Sequence, residues 1–322
     1  MTSARSARLD LLRRDALALG ALAGLAALGY LVFPDNLALL TRIVSVAFLV
    51  LSLYLVTGIC GTATLGHAAL FGAGAYAAGI AAAHFGISDP IAMTFIGLAG
   101  GALAGLACGM IMIRARGLPQ LVLSIAFVSL LHELATKASA WTGGSDGLAG
   151  VSATPLLGLF EFDLWGRTAY LFAIALLLGV FAALRVLVRS PFGMLCHAVG
   201  RDERRVRAMG ASPNRAIVTM YAVSGAVAGI GGAVSAVSAQ VVGLDSLSFT
   251  LSAEALVMLV LGGTGSLFGA LAGTVVFMLV EDVVSAASPF HWLIIVGALL
   301  VATVLFAPKG LYGTLAERLS TR

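Results

Sequence analysis

Apolar residues in this chain fall in long runs parted by short polar stretches, and the runs themselves predict the elements. They lie at about 16–33, 38–57, 66–85, 91–113, 119–138, 167–188, 216–242, 251–263, 266–281 and 290–307. A bilayer core takes about 20 apolar residues per helix, in a range of roughly 17–25. The eighth and ninth runs are short, and Gly262, Gly263, Gly265 and Gly269 crowd their junction. Lipid leaves free backbone groups unpaired, so a helix can break there only inside protein or beside a wet cavity. The pattern predicts an all-α integral membrane protein of about ten transmembrane helices, with glycine-broken or re-entrant segments.

Loop charge orients the bundle. Ten spans from an inner N-terminus leave 1–15, 114–118, 189–215 and 308–322 inside. Those stretches hold 15 of the 19 Lys and Arg: Arg5, Arg8, Arg13, Arg14, Arg114, Arg116, six from Arg189 to Arg215, and Lys309, Arg318 and Arg322. Outer loops and span ends hold Asp35, Asp89, Asp146, Glu161, Asp163, Asp245, Glu281 and Asp282. Basic residues favour the cytoplasmic side, which gives an N-in, C-in topology. The expected organisation is a cytoplasmic tail at 1–15, a membrane domain over 16–307 and a cytoplasmic tail at 308–322. Its main loops are an inner one at 189–215 and an outer one at 139–166. The basic N-terminus followed by an apolar run imitates a secretory signal. Asp10 and Asp15 interrupt its charged region, though, and the run exceeds the usual 7–15-residue signal core, so it reads as a retained first helix.

Composition closes off other classes. Of 322 residues, 60% are hydrophobic and 11% charged, with mean hydropathy +1.04, against about 25% charged in soluble domains. The net charge of +4 reports topology and not nucleic acid, because the basic residues sit in loops. Cys60, Cys108 and Cys196 lack metal-ligand spacing and read as buried, inert thiols.

Thirty-nine glycines, many three or four apart, read chiefly as close helix approach in lipid. Two glycine-interrupted segments, 57–79 and 259–273, each contain Leu-Phe-Gly-Ala, at 70–73 and 267–270. Interrupted segments in two halves of a chain point to a substrate path. Few ionisable groups lie well inside spans: His67, Glu133 with His132, and Glu254. A central charge costs roughly 2.5–3.5 kcal/mol on insertion scales, so each should face protein or water. His67 reads as a helix-packing hydrogen bond, and Glu133 with Lys137 as an interfacial i, i+4 pair. Glu254 reads equally as structural or functional.

Enzyme motifs fail. His132-Glu133-Leu134-Ala135-Thr136 has Thr where a zinc-protease helix needs its second His. No phosphate-binding loop with its Lys occurs, so this chain does not split ATP by itself, and no catalytic or metal-binding residue is assigned. The inner loop 189–215 is richer. Leu195, Val199, Val206 and Met209 predict one short helix with an apolar stripe, stopped by Gly210. Ser212 and Pro213 follow as a cap and first-turn proline.

These residues carry a likeness. The chain resembles the integral membrane permeases of branched-chain amino acid ABC importers, the LivM-like subunits among them, from about residue 45 to 313. The likeness rests on Gly66-His67 through Tyr76, Arg116 through Phe127, Thr142 through Leu148, Ser190-Pro-Phe-Gly193 with Asp202-Glu203 and Ala208-Met-Gly210, Leu261 through Gly265, and Pro308 through Leu311.

The resemblance implies a heteromeric importer in a bacterial inner membrane, carrying branched-chain amino acids or related small amino acids and amides. Its expected partners are a second, LivH-like permease, two cytoplasmic ATP-binding subunits that hold ATP and Mg, and a periplasmic binding protein. Coupling to the ATP-binding subunits falls on Asp202, Glu203, Ala208, Met209 and Gly210. The path falls on Gly66, His67, Gly72, Gly74, Tyr76, Glu254, Gly262, Gly263 and Gly265. The binding protein's side falls on Thr142, Gly143, Gly144, Ser145, Asp146 and Gly147. Arg204 and Arg205 depart from the family's commoner small residues. The alternative is an ion-coupled secondary transporter of a small polar solute, working through Glu133 and Glu254. An intramembrane enzyme would need a nucleophile–base or metal cluster that the sequence does not offer.

Overall fold

The computed structural model describes residues 19–32, 34, 36–155, 160, 166–287, 297–298, 301, 310 and 313–314. Long apolar runs become long helices because a helix pairs its own backbone groups without water. In chain order these are α1 (Leu19–Val32), α2 (Leu37–Leu53), which runs on through a π-turn at Tyr54–Ile59, α3 (Ala68–Phe85), α4 (Pro90–Met112) and α5 (Leu118–Lys137). Then come the short α6 (Ser139–Thr142), α7 (Arg167–Arg189), α8 (Pro191–Arg201), α9 (Glu203–Ala208) and α10 (Pro213–Ala239). α11 (Phe249–Gly262) and α12 (Leu267–Ala287) follow.

Every expected run from 16–33 to 266–281 holds a helix. Among the described residues seven helices are long and apolar enough to cross a membrane: α2 with its π-turn, α3, α4, α5, α7, α10 and α12. The 14 residues of α11 rise about 21 Å at ~1.5 Å each, short of a ~30 Å hydrocarbon core. The expected run 290–307, apart from 297, 298 and 301, and the tails 1–15 and 308–322, apart from 310, 313 and 314, lie outside the described residues. So do Asp35, Glu161 and Asp163.

Two helices form the centre. α2 is apolar all round and buried from Ile43 to Val56, as a helix without a polar face must be. α10 packs on α2, α3 and α4, and glycines set how closely. A Cβ at Gly101 of α4 would strike the Gly225 carbonyl of α10, and one at Gly225 would strike the Gly101 carbonyl. Gly97 and Gly74 both meet Gly229, so three helices touch backbone to backbone there. Small residues are what permit such contact in lipid. The outer faces are the reverse: Phe95 and Leu103 of α4, Val122, Leu130 and Leu134 of α5, and Leu171 and Val186 of α7 are exposed. An outward apolar face of that extent fits acyl chains and not water.

α1 is tied to α7 by Tyr170, whose hydroxyl donates to the Ala26 carbonyl at 2.9 Å and whose ring stacks on Tyr30. All three cysteines are buried and free.

Candidate coupling segment and helix breaks

The inner loop departs from the single helix expected for it. Asp202 is extended, with φ −161° and ψ 98°, and divides the segment into α8 and α9. The cause is capping: the Asp202 carboxylate accepts from the backbone N–H groups of Arg204 and Arg205 at 2.9 and 3.2 Å, so it starts a new helix. The buried stripe of α8 is Gly193, Cys196 and Val199, with Leu195 half-buried; Val206 is buried on α9, whereas Met209 is 73% exposed. Gly210 ends α9 as expected. Its φ is +84°, its N–H donates to the Arg207 carbonyl at 3.0 Å, and the Ala211 N–H reaches back to Val206 at 3.2 Å. That pair of bonds is a Schellman stop, which needs a left-handed residue. Ser212 stands at the cap of α10 without a side-chain cap bond, and Pro213 takes the first turn.

The candidate coupling residues therefore divide. Asp202 is a cap. Glu203 is an anchor: Arg116, between α4 and α5, meets it through Nε at 2.9 Å and a terminal nitrogen at 3.2 Å, and also reaches Asn214 at the start of α10. Arg207 adds a contact at 3.6 Å. Ala208, Met209 and Gly210 face outward. The role of Arg116 in holding α9 was hidden in the sequence, since only the fold brings it to Glu203, 87 positions away.

α8 rests on the first helix break. A Cβ at Gly200 would stand 2.7 Å from the Ile59 carbonyl oxygen and 2.9 Å from the Cys60 carbonyl carbon. Cys60 and Cys196 are neighbours across that contact. The break itself runs from Cys60 to His67. Gly66 lies within it, where a Cβ would strike the Ser124 carbonyl, whereas Gly72, Gly74 and Tyr76 lie inside α3. The interruption expected within 57–79 is thus confined to residues 60–67. Gly72 and Gly74 instead make room for Leu247 and Gly229.

Side chains replace the missing helical partners in the break. The Thr62 N–H and hydroxyl both donate to the Val56 carbonyl, at 3.2 and 3.0 Å. The Leu65 N–H donates to Ser124 Oγ at 3.0 Å, the Gly66 N–H to Thr64 Oγ1 at 3.3 Å, and the Ala68 N–H to Ser252 Oγ at 2.9 Å. His67, at the entry to α3, makes the packing hydrogen bond expected of it: its Nε2 lies 2.7 Å from Ser224 Oγ on α10. Ser224 donates in turn to the Ser52 carbonyl at 2.8 Å. Ser52, Ser124, Ser224 and Ser252 were not singled out in sequence. Their one signal was a hydroxyl inside an apolar run, which other serines of the same runs share.

The second break, 263–266, is built differently. α11 and α12 turn on glycine: a Cβ at Gly262 would strike the Gly269 carbonyl, and one at Gly273 the Met258 carbonyl. Gly310 lies against Gly263 and 2.7 Å, in the same measure, from the Gly262 carbonyl carbon, which unites two motifs far apart in sequence. Gly265 is exposed. The two breaks are close, since a Cβ at Gly58 would be 2.7 Å from the Thr264 carbonyl oxygen. Glu254, half-buried on α11, interacts with Glu281 of α12 and Arg42 of α2, which pair with each other at 3.6 Å. Glu133 and Lys137 form the exposed i, i+4 pair at 3.2 Å.

At the far end of the bundle, Thr142 Oγ1 bonds the Ala135 and Ala138 carbonyls at 2.5 and 2.9 Å and accepts from the Gly144 N–H at 3.3 Å. Gly143, Gly144 and Gly147 all have positive φ, leaving Ser145 and Asp146 at an exposed tip. The Leu148–Val242 bridge joins this loop to the one after α10.

Taken together, these features define a multi-pass α-helical membrane protein that gathers buried polar groups at a helix break and folds a short helix pair against it. A family model described as "Branched-chain amino acid transport system / permease component" matches residues 36–304, and the chain belongs to that family. Two relatives are the high-affinity branched-chain amino acid transport system permease proteins LivM of Salmonella typhimurium (strain LT2) and Escherichia coli (strain K12). Each is 27% identical over 282 residues, covering 81% of this chain, and the chain spans 66% of their length. No solved structure matches the chain.

Proposed function

We propose that this chain is a permease subunit of a bacterial ABC importer in the inner membrane, contributing to the path for branched-chain amino acids (Leu, Ile, Val) or related small amino acids and amides. Separate ATP-binding subunits supply the energy, a second, LivH-like permease completes the path, and a periplasmic binding protein delivers the solute. The observation that carries this reading is the seating of α8–α9. Its Ala208-Met209-Gly210 end is free to meet another protein, while Gly200 at the end of α8 rests on the backbone of the first break. A push on α9 is thus delivered to the point where α2 gives way to α3. With this segment and Arg114 and Arg116 in the cytoplasm, the Thr142–Gly147 loop faces the binding protein.

Affinity purification of the tagged chain from its native membrane in mild detergent tests the assembly. An ATP-binding subunit and a second glycine-rich permease should co-purify. Gly210→Asp tests the coupling segment. A Cβ there meets nothing within 4 Å but must adopt φ +84°, which strains a non-glycine residue by about 1–2 kcal/mol. The variant should reach the membrane and lose solute uptake; normal uptake with the ATP-binding subunit attached would refute the coupling role.

A further inference from the structure

The first break holds polar groups that its own hydrogen bonds leave over. Ser224 gives its proton to the Ser52 carbonyl, so in the 2.7 Å contact with Ser224 the His67 Nε2 is the donor. Nδ1 then carries a lone pair, and it is buried without a partner. The Tyr221 hydroxyl and the Gln120 side-chain nitrogen are buried without partners as well. Tyr221 and His67 have ring centroids 6.5 Å apart, and the Tyr221 hydroxyl lies beside Thr62, Gln120 and Thr64. Tyr221 is completely buried, and His67 and Gln120 are 1% and 3% exposed. Thr62 Oγ1 already donates to Val56 and Thr64 Oγ1 already accepts from Gly66. The first therefore has lone pairs to spare and the second a proton.

Buried polar atoms in native proteins are nearly always paired, with protein or with ordered water, and a buried water makes about three hydrogen bonds. Donors from Gln120 and Thr64, acceptors at Thr62 and His67, and Tyr221 able to do either form such a set. The requirement is for a small neutral molecule that gives and takes hydrogen bonds at once. We propose that Tyr221, Gln120, Thr62, Thr64 and His67 form an internal water-binding site at the first helix break. Its location gives it a consequence, which rests on the coupling reading above: when α8 shifts the backbone at Ile59 and Cys60, bound water can exchange partners where fixed side chains could not.

Radiolytic footprinting of the chain in its native complex tests the site directly, because hydroxyl radicals formed from bound water oxidise the rings beside it. Tyr221 should be oxidised although it is buried, while Phe48 and Phe277, equally buried in the apolar core, should not. Tyr221 as silent as these phenylalanines would overturn the proposal. Tyr221→Phe and Gln120→Leu give a second reading through thermal unfolding in detergent. If the two groups are coupled, each variant lowers Tm and the double variant loses less than the sum, and oxidation of Tyr221 shows that water makes the link. If the groups are simply unpaired, removing either raises Tm. A rise in Tm, or strict additivity, would overturn the proposal, and neither outcome depends on whether the chain couples to an ATP-binding subunit.

Discussion

The two helix breaks solve one problem with different materials. Between α2 and α3 the chain leaves helix for eight residues, and its freed N–H groups are taken up by Ser124, Thr64 and Ser252. Between α11 and α12 it turns in four residues, with Gly262, Gly269 and Gly273 pressed backbone to backbone. The Ser266 hydroxyl caps α12 through the Gly269 N–H at 2.9 Å. The first arrangement can be rebuilt, because hydroxyls rotate and can change partners. The second cannot, because its contacts are steric. The bundle thus has an adaptable joint under α8 and a rigid one beside it.

The largest effect should come from breaking the rigid joint. Gly262→Ala places a Cβ on the Gly269 carbonyl oxygen and close to the Gly273 nitrogen. Neither neighbour is the end of a flexible side chain, so α11 and α12 must part. Overpacking a close-packed interior costs about 1–3 kcal/mol and occasionally more, and the glycine contact itself would be lost. The variant should yield little monodisperse protein by fluorescence-detected gel filtration. A normal elution profile would show that the α11–α12 turn tolerates separation.

Gly200→Val should come next, and should act on transport more than on folding. Its Cβ meets the Ile59 and Cys60 backbone at 2.7–3.0 Å, but α8 is a surface helix and can lift. The expected result is near-normal abundance in the membrane with solute uptake reduced at least about tenfold, equivalent to 1.4 kcal/mol or more. Equal losses of abundance and uptake would mean that the α8 contact merely holds the fold.

Much of this was legible in the sequence because lipid is so restrictive a solvent. Apolar runs had to be helices, and each one but the last, most of which lies outside the described residues, can be seen as such. Gly210 was legible as a stop because a left-handed position favours one residue type. The split at Asp202 was hidden because an apolar stripe reads the same through one helix or two; only the capping bonds of its carboxylate show the division. The exact place of the first break within 57–79 was hidden as well. Glycine marks close approach as well as interruption, and nothing local separates Gly66, which faces the Ser124 carbonyl in a break, from Gly74, which faces Gly229 within a helix. The role of Ser224 lay beyond reach, since its partners are 157 and 172 positions away in the chain.

A middle-sized effect probes the adaptable joint. Ser224→Ala removes the acceptor of the His67 Nε2–H and the donor to the Ser52 carbonyl together. Leaving a buried polar group unpaired costs about 1–3 kcal/mol, so Tm in detergent should fall while the chain still folds. Ser224→Thr, which keeps the hydroxyl, should recover part of the loss. Equal Tm for the alanine and threonine variants would deny the relay any energetic role.

The smallest pair of effects isolates backbone conformation from everything else. Gly61, in the first break, and Gly265, in the second, are both exposed, so burial cannot separate them. Gly61 has φ +67° and, with a Cβ added, the Gly200 carbonyl oxygen at 3.1 Å; Gly265 has no neighbour within 4 Å and no left-handed φ. Alanine at 265 lowers the freedom of the unfolded chain without native strain, a gain of about 0.4–1 kcal/mol. Alanine at 61 must hold a left-handed conformation, at a cost of about 1–2 kcal/mol, and press on the end of α8. Gly265→Ala should therefore leave Tm level or slightly raised, and Gly61→Ala should lower it. Were Gly61→Ala as neutral as Gly265→Ala, the first break would be adapting even its backbone, and the contrast between the two joints would be sharper than their side chains alone require.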